Sequence, residues 1–301
     1  MRYQGDIFVS TGAFGRIDLE DMLSSATKAN IDYIELSSGA RNRSSDLSKM
    51  LLTKVDEQLK FLVHNYFPVP AKSFVLNLAS DDAQMLEISR EHCKRAIALA
   101  ANLGAPFYSV HAGFCIHVSP EFLGKKLQGK LISKERGMEI FIESAKILGQ
   151  YAEEFGVMLA IENNVVSPQN SVNGKNSLLL GVTGDDLVEI MQKTNMSNVR
   201  LLLDVAHLKV SSNSLSFDAN KSIEQIAPWI IACHLSDNDG QSDTNEVLSE
   251  QSWFWEPLAK YLNTAPSWVL EVYNIDTNEI NQQINLIKRQ LLKLNSTLVN
   301  A

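Results

Sequence analysis

Four ionisable residues stand where short apolar runs end: Glu162 closes MLAIE, Asp204 closes VRLLLD, His234 closes IIACH and Glu271 closes WVLE. They recur at intervals of about 30 to 42 positions, close to one eighth of the 301-residue chain. A single carboxylate at a strand end is ordinary; three carboxylates and an imidazole ending four consecutive strands are not. Carboxylates brought together repel one another, and burying them unpaired is expensive. A divalent cation resolves the conflict. Oxygen donors with one nitrogen and no thiolate suit Mn²⁺, Mg²⁺, Co²⁺ or Zn²⁺, so one such ion is the expected cofactor.

A second tier surrounds these four. His64 follows FLV, His111 follows FYSV, and His207 lies three residues beyond Asp204. A lone histidine is usually structural, but four of the six histidines (64, 111, 207 and 234) sit at strand exits, which points to a functional role. Asn163, beside Glu162, is a candidate for substrate contact or for support of the site. Asp237 and Asp243, in HLSDNDGQSD, are candidates for an additional metal or a supporting role. His92, within a helical stretch, and His117, in a loop, read as structural. Strand alternation turns Cys233 away from His234, towards packing. Around the rim, Arg41 and Arg43 could hold a phosphate or carboxylate, and NYFPVPAKSF (65–74) is long and aromatic enough to act as a lid. Trp253, Phe254 and Trp255 could form a pocket wall, a subunit interface or helix packing.

The elements that must position these residues are legible as an alternation. Strand-length runs occur at 7–11, 33–37, 61–66, 107–113, 158–164, 199–207, 230–237 and 268–274. Stretches with helical spacing separate them, most clearly 81–104, 133–156, 184–194 and 275–294. Ser80 and Gly184, each before a pair of aspartates, read as helix N-caps. Eight such units predict a (β/α)8 barrel, a TIM barrel, formed by a single domain over 1–301, with chemistry at the C-terminal rim of the strands. The alternative, a doubly wound open sheet, lacks its phosphate fingerprint, because STGAFGRID after the first run has the wrong spacing.

The composition agrees with a globular enzyme: 45% hydrophobic and 21% charged residues, with a formal net charge of −8. The acidic total gives no support to a nucleic-acid partner. Three cysteines at no zinc-finger spacing, the lack of a signal-peptide run and the absence of a membrane-length apolar stretch predict a cytoplasmic protein with reduced thiols. A homo-oligomer is compatible with the sequence.

The ordered set NLAS (77–80), VHAG (110–113), IEN (161–163), DVAH (204–207), HLSDNDGQSD (234–243) and LEV (270–272) resembles the xylose-isomerase-like barrel superfamily. Within it, the set is most similar to the sugar phosphate isomerase/epimerase group. The resemblance implies that Glu162, Asp204, His234 and Glu271 hold one divalent metal, and that His207 contacts substrate. It implies a small sugar, sugar phosphate or polyol as the ligand. Glu162 and Glu271 would exchange a proton beside a carbonyl, the metal would stabilise the enediolate, and His64 and His111 would position hydroxyls. Type-two abasic-site endonucleases share the NLAS and VHAG signatures, which makes a metal-dependent phosphodiesterase the alternative. Their three-zinc cluster draws on residues matching His64, His111, His207 and an Asp-x-His pair. Here Asp243-Thr244-Asn245 puts an amide where the second ligand of that pair would stand, and NEVLSEQSWFWEP (245–257) replaces the usual Pro- and Gly-rich continuation.

Overall fold

The computed structural model describes residues 5–38, 42, 44, 46–122, 125–171, 173–262 and 266–299. The eight apolar runs become eight parallel strands: β1 (Ile7–Ser10), β2 (Tyr33–Leu36), β3 (Lys60–His64), β4 (Phe107–His111), β5 (Met158–Glu162), β6 (Val199–Asp204), β7 (Ile230–Leu235) and β8 (Ser267–Leu270). They close on themselves in the order β1-β8-β7-β6-β5-β4-β3-β2. This is the expected (β/α)8 barrel. The helices outside it are α1 (Leu19–Lys28), α2 (Leu47–Asp56), α3 (Ala83–Asn102), α4 (Lys134–Glu154), α5 (Gly184–Thr194), α6 (Val205–Leu215), α7 (Ala219–Ile226), α8 (Trp255–Tyr261) and α9 (Thr277–Val299).

Period decides which side chains go inward. Along α1, Leu19, Met22, Leu23 and Ala26 share one face of a 3.6-residue turn and are buried against the barrel. Cys233, alternating with His234, packs with the helix-side core, where burial pushes its thiol pKa up. All three cysteines are free and buried. Among the described residues no helix is long and apolar enough to cross a membrane.

Local details differ from the sequence reading. The N-cap of α3 is Asp82, whose carboxylate accepts from the Met85 N–H at 2.9 Å, while Ser80 Oγ accepts from the Asp82 N–H one step earlier. The cap of α5 is Thr183, whose hydroxyl accepts from the Asp186 N–H at 3.1 Å; Gly184 has no side chain to do so. A two-residue antiparallel pair, 116–117 with 130–131, interrupts the loop after β4. Phe254 and Trp255 are buried in the core and Trp253 packs against it, so this aromatic run is packing.

Candidate active site

Strand alternation builds the site. Phe8, Leu62, Phe107, Ala160, Leu202, Ala232 and Val269 form an apolar layer inside the barrel, with Tyr33 packed against it from β2. Side chains on a strand return to the same face every second residue. Two positions further along, every strand therefore delivers its next inward side chain: Ser10, Glu35, His64, Ser109, Glu162, Asp204, His234 and Glu271. All eight are polar and all are buried. A polar ring, one member per strand, thus caps the apolar layer at the C-terminal mouth. Register sets the neighbours: His111 lies beside Glu162 and Asp204 beside His234. Glu271 follows the last residue of β8, anchored by its N–H to the Leu235 carbonyl at 3.0 Å.

Ligand atoms of Glu162, Asp204, His234 and Glu271 all lie within 4.8 Å of one another. Asp204 uses Oδ1 to accept from the His207 backbone N–H at 2.7 Å, which caps α6 and leaves Oδ2 free. His234 Nε2 lies 3.0 Å from Glu35 Oε2 and donates to it, so Nδ1 faces the carboxylates. That Nδ1 is 2.7 Å from Glu271 Oε2 and 3.3 Å from Glu162 Oε1, but off the line a hydrogen bond needs. Glu162 Oε2, Asp204 Oδ2 and His234 Nδ1 are buried polar atoms with no hydrogen-bond partner among the described residues. Orphaned atoms of this kind cost about 1–3 kcal/mol each. Asp204 Oδ2 and His234 Nδ1 belong with oxygens of Glu162 and Glu271 to an oxygen-rich donor set that fits a divalent cation, while Glu162 Oε2 faces His64 and His111.

The electrostatics of the metal-free cluster follow from the same crowding. Burial would raise the Glu162 pKa, but the imidazoles of His111, His64 and His234 outweigh it and hold the carboxyl well below its ordinary value. Burial would lower the His234 pKa; Glu271, Glu35 and Glu162 overcome it and hold the pKa well above the usual value. Glu271 is pushed up to about 8, by burial first and by the neighbouring Asp204 and Glu162 charges, against the pull of His234.

The second tier surrounds this cluster. His64 Nδ1 bonds Ser109 Oγ at 2.9 Å and turns Nε2 to within 3.5 Å of Glu162 Oε2, with His111 Nδ1 3.3 Å from the same oxygen. His64, His111 and Glu162 form a second group able to hold a metal. His207 is held at both nitrogens: Nδ1 donates to the Asn163 carbonyl at 2.9 Å and Nε2 faces Asp243 Oδ2 at 3.2 Å. Contact with substrate through Nε2 requires it to leave Asp243.

Other candidates have structural employment. Asn163 is buried, and its amide grips the Asp204 backbone, accepting from the N–H at 2.8 Å and donating to the carbonyl at 3.0 Å. Asp237 is engaged by Lys209 Nζ at 2.7 Å and Ser252 Oγ at 2.8 Å, outside the metal-ligand groups found among the described residues. Asn245 adopts a left-handed backbone, φ 48°, which asparagine tolerates, and its side-chain oxygen accepts from Ser236 Oγ at 2.8 Å. His92 donates to the Asn65 carbonyl at 3.1 Å and His117 bonds Asp81, both structural roles as expected. Arg41 and Arg43 lie outside the described residues. The expected lid is fastened at its start: Phe67 is buried, and the Asn65 carbonyl accepts from Tyr108 Oη at 2.7 Å and from His92 Nε2 at 3.1 Å. Sequence reading missed Glu35, Ser10 and Ser109, which counting in twos along the strands would have found.

Above the ring opens a cavity of about 350 Å³, whose lining includes Arg16, Ser37, His64, Asn65, Tyr66, His111, Glu271 and Tyr273. The NLAS and VHAG motifs brace two loops at this end of the barrel. Asn77 accepts from the Ala79 and Phe114 N–H groups and donates to the Phe114 carbonyl, tying the loop after β3 to that after β4. Gly113 allows close approach there, since a methyl group would collide with Ala79.

Comparison with known proteins agrees with this architecture. A D-tagatose 3-epimerase-like protein superposes with a TM-score of 0.73, at 20% identity over 97% of this chain and 99% of the other. L-ribulose 3-epimerase gives 0.68, at 16% identity over 99% of each chain. The IolI protein with a bound zinc atom gives 0.67, at 16% identity over 97% of this chain and 98% of the other. The family model described as xylose isomerase-like TIM barrel matches residues 23–290, and the chain belongs to that family.

Proposed function

We propose that the protein is a divalent-metal-dependent isomerase or epimerase acting on a small sugar, sugar phosphate or related polyol. The observation that carries this reading is the buried polar ring, with ligand atoms of Glu162, Asp204, His234 and Glu271 gathered within 4.8 Å of one another beneath a polar cavity. The structural neighbours, two of them sugar epimerases or epimerase-like proteins and one a zinc-bound protein, support it. Glu162, Asp204, His234 and Glu271 would hold the cation, whose identity among Mn²⁺, Mg²⁺, Co²⁺ and Zn²⁺ the donor set leaves open. When bound, the cation polarises the carbonyl and hydroxyl oxygens of the substrate. Glu271 lines the cavity and Glu162 lies beneath it among His64, His111 and His234; these two carboxylates remove and return the proton beside the carbonyl. His64 and His111, both on the cavity wall, orient hydroxyls, and His207 binds a substrate oxygen once released from Asp243. The reading extends to a cytoplasmic, single-domain protein with a small-molecule partner and no nucleic-acid partner.

Solvent deuterium incorporation into a panel of ketoses and ketose phosphates tests this directly. Metal-loaded protein should exchange the proton beside the carbonyl of at least one, and Glu162→Gln or Glu271→Gln should slow exchange by at least ~10²-fold. Wild-type exchange in either folded variant would overturn the assignment. One observation favours the phosphodiesterase alternative: the trio His64, His111 and Glu162 could take a second ion, with Glu162 shared. Against it, Asn245 is bound to Ser236 where a further ligand would be needed. Nicking of abasic duplex DNA by protein carrying three zinc ions would reverse the ranking.

A further inference from the structure

A second cavity, of about 330 Å³, opens on the other side of His111. It shares that residue with the cavity above Glu271 and adds His207 and Asp243 to its wall. The imidazoles of His64 and His111 are 5.7 Å apart and those of His111 and His207 5.6 Å apart, so a row of three rings runs from one chamber to the other. Glu162 lies under the row, 3.3 Å from His111 Nδ1 and 3.6 Å from His207 Nδ1. The candidate cluster therefore sits beneath the junction of two chambers.

The second chamber has its own chemistry. Asp243 Oδ2 faces His207, but Oδ1 is buried with no hydrogen-bond partner among the described residues, an acceptor that a ligand hydroxyl would satisfy. Phe114 and Leu179 supply apolar wall, while Ser167, Gln169 and Ser242 supply hydroxyls and an amide. The open Asp243 Oδ1 needs a donor, which a hydroxyl supplies and an ionised anion does not, so the lining favours a polyhydroxylated group. Each chamber lies near the lower end of the roughly 300–1,000 Å³ range of small-molecule sites, room for one ring apiece. We propose that the substrate is a ketose carrying a second sugar unit, its reacting end above Glu271 and its glycosyl substituent in the chamber beyond His111. This rests on the isomerase or epimerase reading and specifies its substrate class.

The test is calorimetric titration of metal-loaded protein with D-fructose and with glucosyl-fructoses linked through each of the ketose hydroxyls in turn. At least one glucosyl-fructose should bind about tenfold or more tightly than D-fructose. That ratio should collapse in Ser167→Trp, which fills the second chamber, and shrink in Gln169→Ala, a milder change on an exposed side chain. No advantage for any glucosyl-fructose, or an advantage that survives Ser167→Trp, overturns the proposal. Deuterium exchange is scored separately on the same ligands. Exchange without a binding advantage keeps the isomerase reading and removes the two-ring substrate. A binding advantage without exchange supports the two-chamber ligand and removes the isomerase reading.

Discussion

Replacing Glu35 by glutamine isolates how the ring prepares a cation site. Glu35 is not one of the four predicted ligands, although with His64 and His234 it forms a further group able to hold a metal; it holds Nε2 of His234 at 3.0 Å, with both residues fully buried. That bond fixes the ring orientation and keeps Nδ1 turned towards the carboxylates, and the Glu35 charge increases the basicity of the imidazole. Glutamine keeps the shape and an acceptor oxygen but exchanges a charge-assisted bond, about 1.5–3 kcal/mol, for a neutral one of about 0.5–1.5 kcal/mol. The difference of about 1–2 kcal/mol corresponds to roughly 5- to 30-fold in affinity, consistent with the ~10–100-fold typical when such outer partners of a metal-bound histidine are lost. Competition of Glu35→Gln and wild-type protein against a chromophoric chelator for Zn²⁺ or Mn²⁺ measures it. Denaturant melts of the metal-free forms show whether the fold is unchanged. Wild-type affinity in a variant of wild-type stability would refute the reasoning, because the bond would then be a packing detail.

Three further outcomes are expected. Adding the cation to metal-free protein should raise its thermal midpoint, because filling the site relieves the orphaned donors, and stripping the cation with a chelator should reverse the gain; an unchanged midpoint counts against the site. His92 is buried enough to push its pKa down to about 4, so it favours the folded state in its neutral form. Its contribution is full above its ordinary pKa near 6.5 and is lost as pH falls towards 4; His92→Gln, which can still donate to the Asn65 carbonyl, should shrink the stability difference between pH 7 and pH 4, read from urea midpoints, by on the order of 2–3 kcal/mol. Gly113→Ala should lower stability by about 1–3 kcal/mol, seen as an earlier denaturant midpoint, because its methyl group meets Ala79 at a braced loop.

The barrel was legible because apolar runs and helical spacing alternate along the whole chain, and each of the eight runs forms a strand. Glu162, Asp204, His234 and Glu271 were legible because a charge ending an apolar run is conspicuous. Glu35 was not, since it lies inside YIEL one residue before the end of its strand, and Ser10 and Ser109 look like ordinary small residues. Their common face emerges only when strands are read in twos and aligned across the barrel. The roles of Asn163 and Asp237 depended on contacts 28 to 41 positions away in sequence, with Lys209 and Asp204, which no local pattern encodes. The fastening of the 65–74 segment likewise rests on Tyr108 and His92 reaching the Asn65 carbonyl from 43 and 27 positions away.

Because every strand contributes one member at a fixed step from the apolar floor, reactivity and closure of the barrel are written in the same residues. An insertion or deletion of one position within a strand would rotate its ring member outward and present the neighbour instead: in β7, Cys233 or Leu235 would take the place of His234. Heritable change is therefore steered away from the strands and into the loops that shape the two chambers, where length and composition can drift while the eight-part floor stays in register.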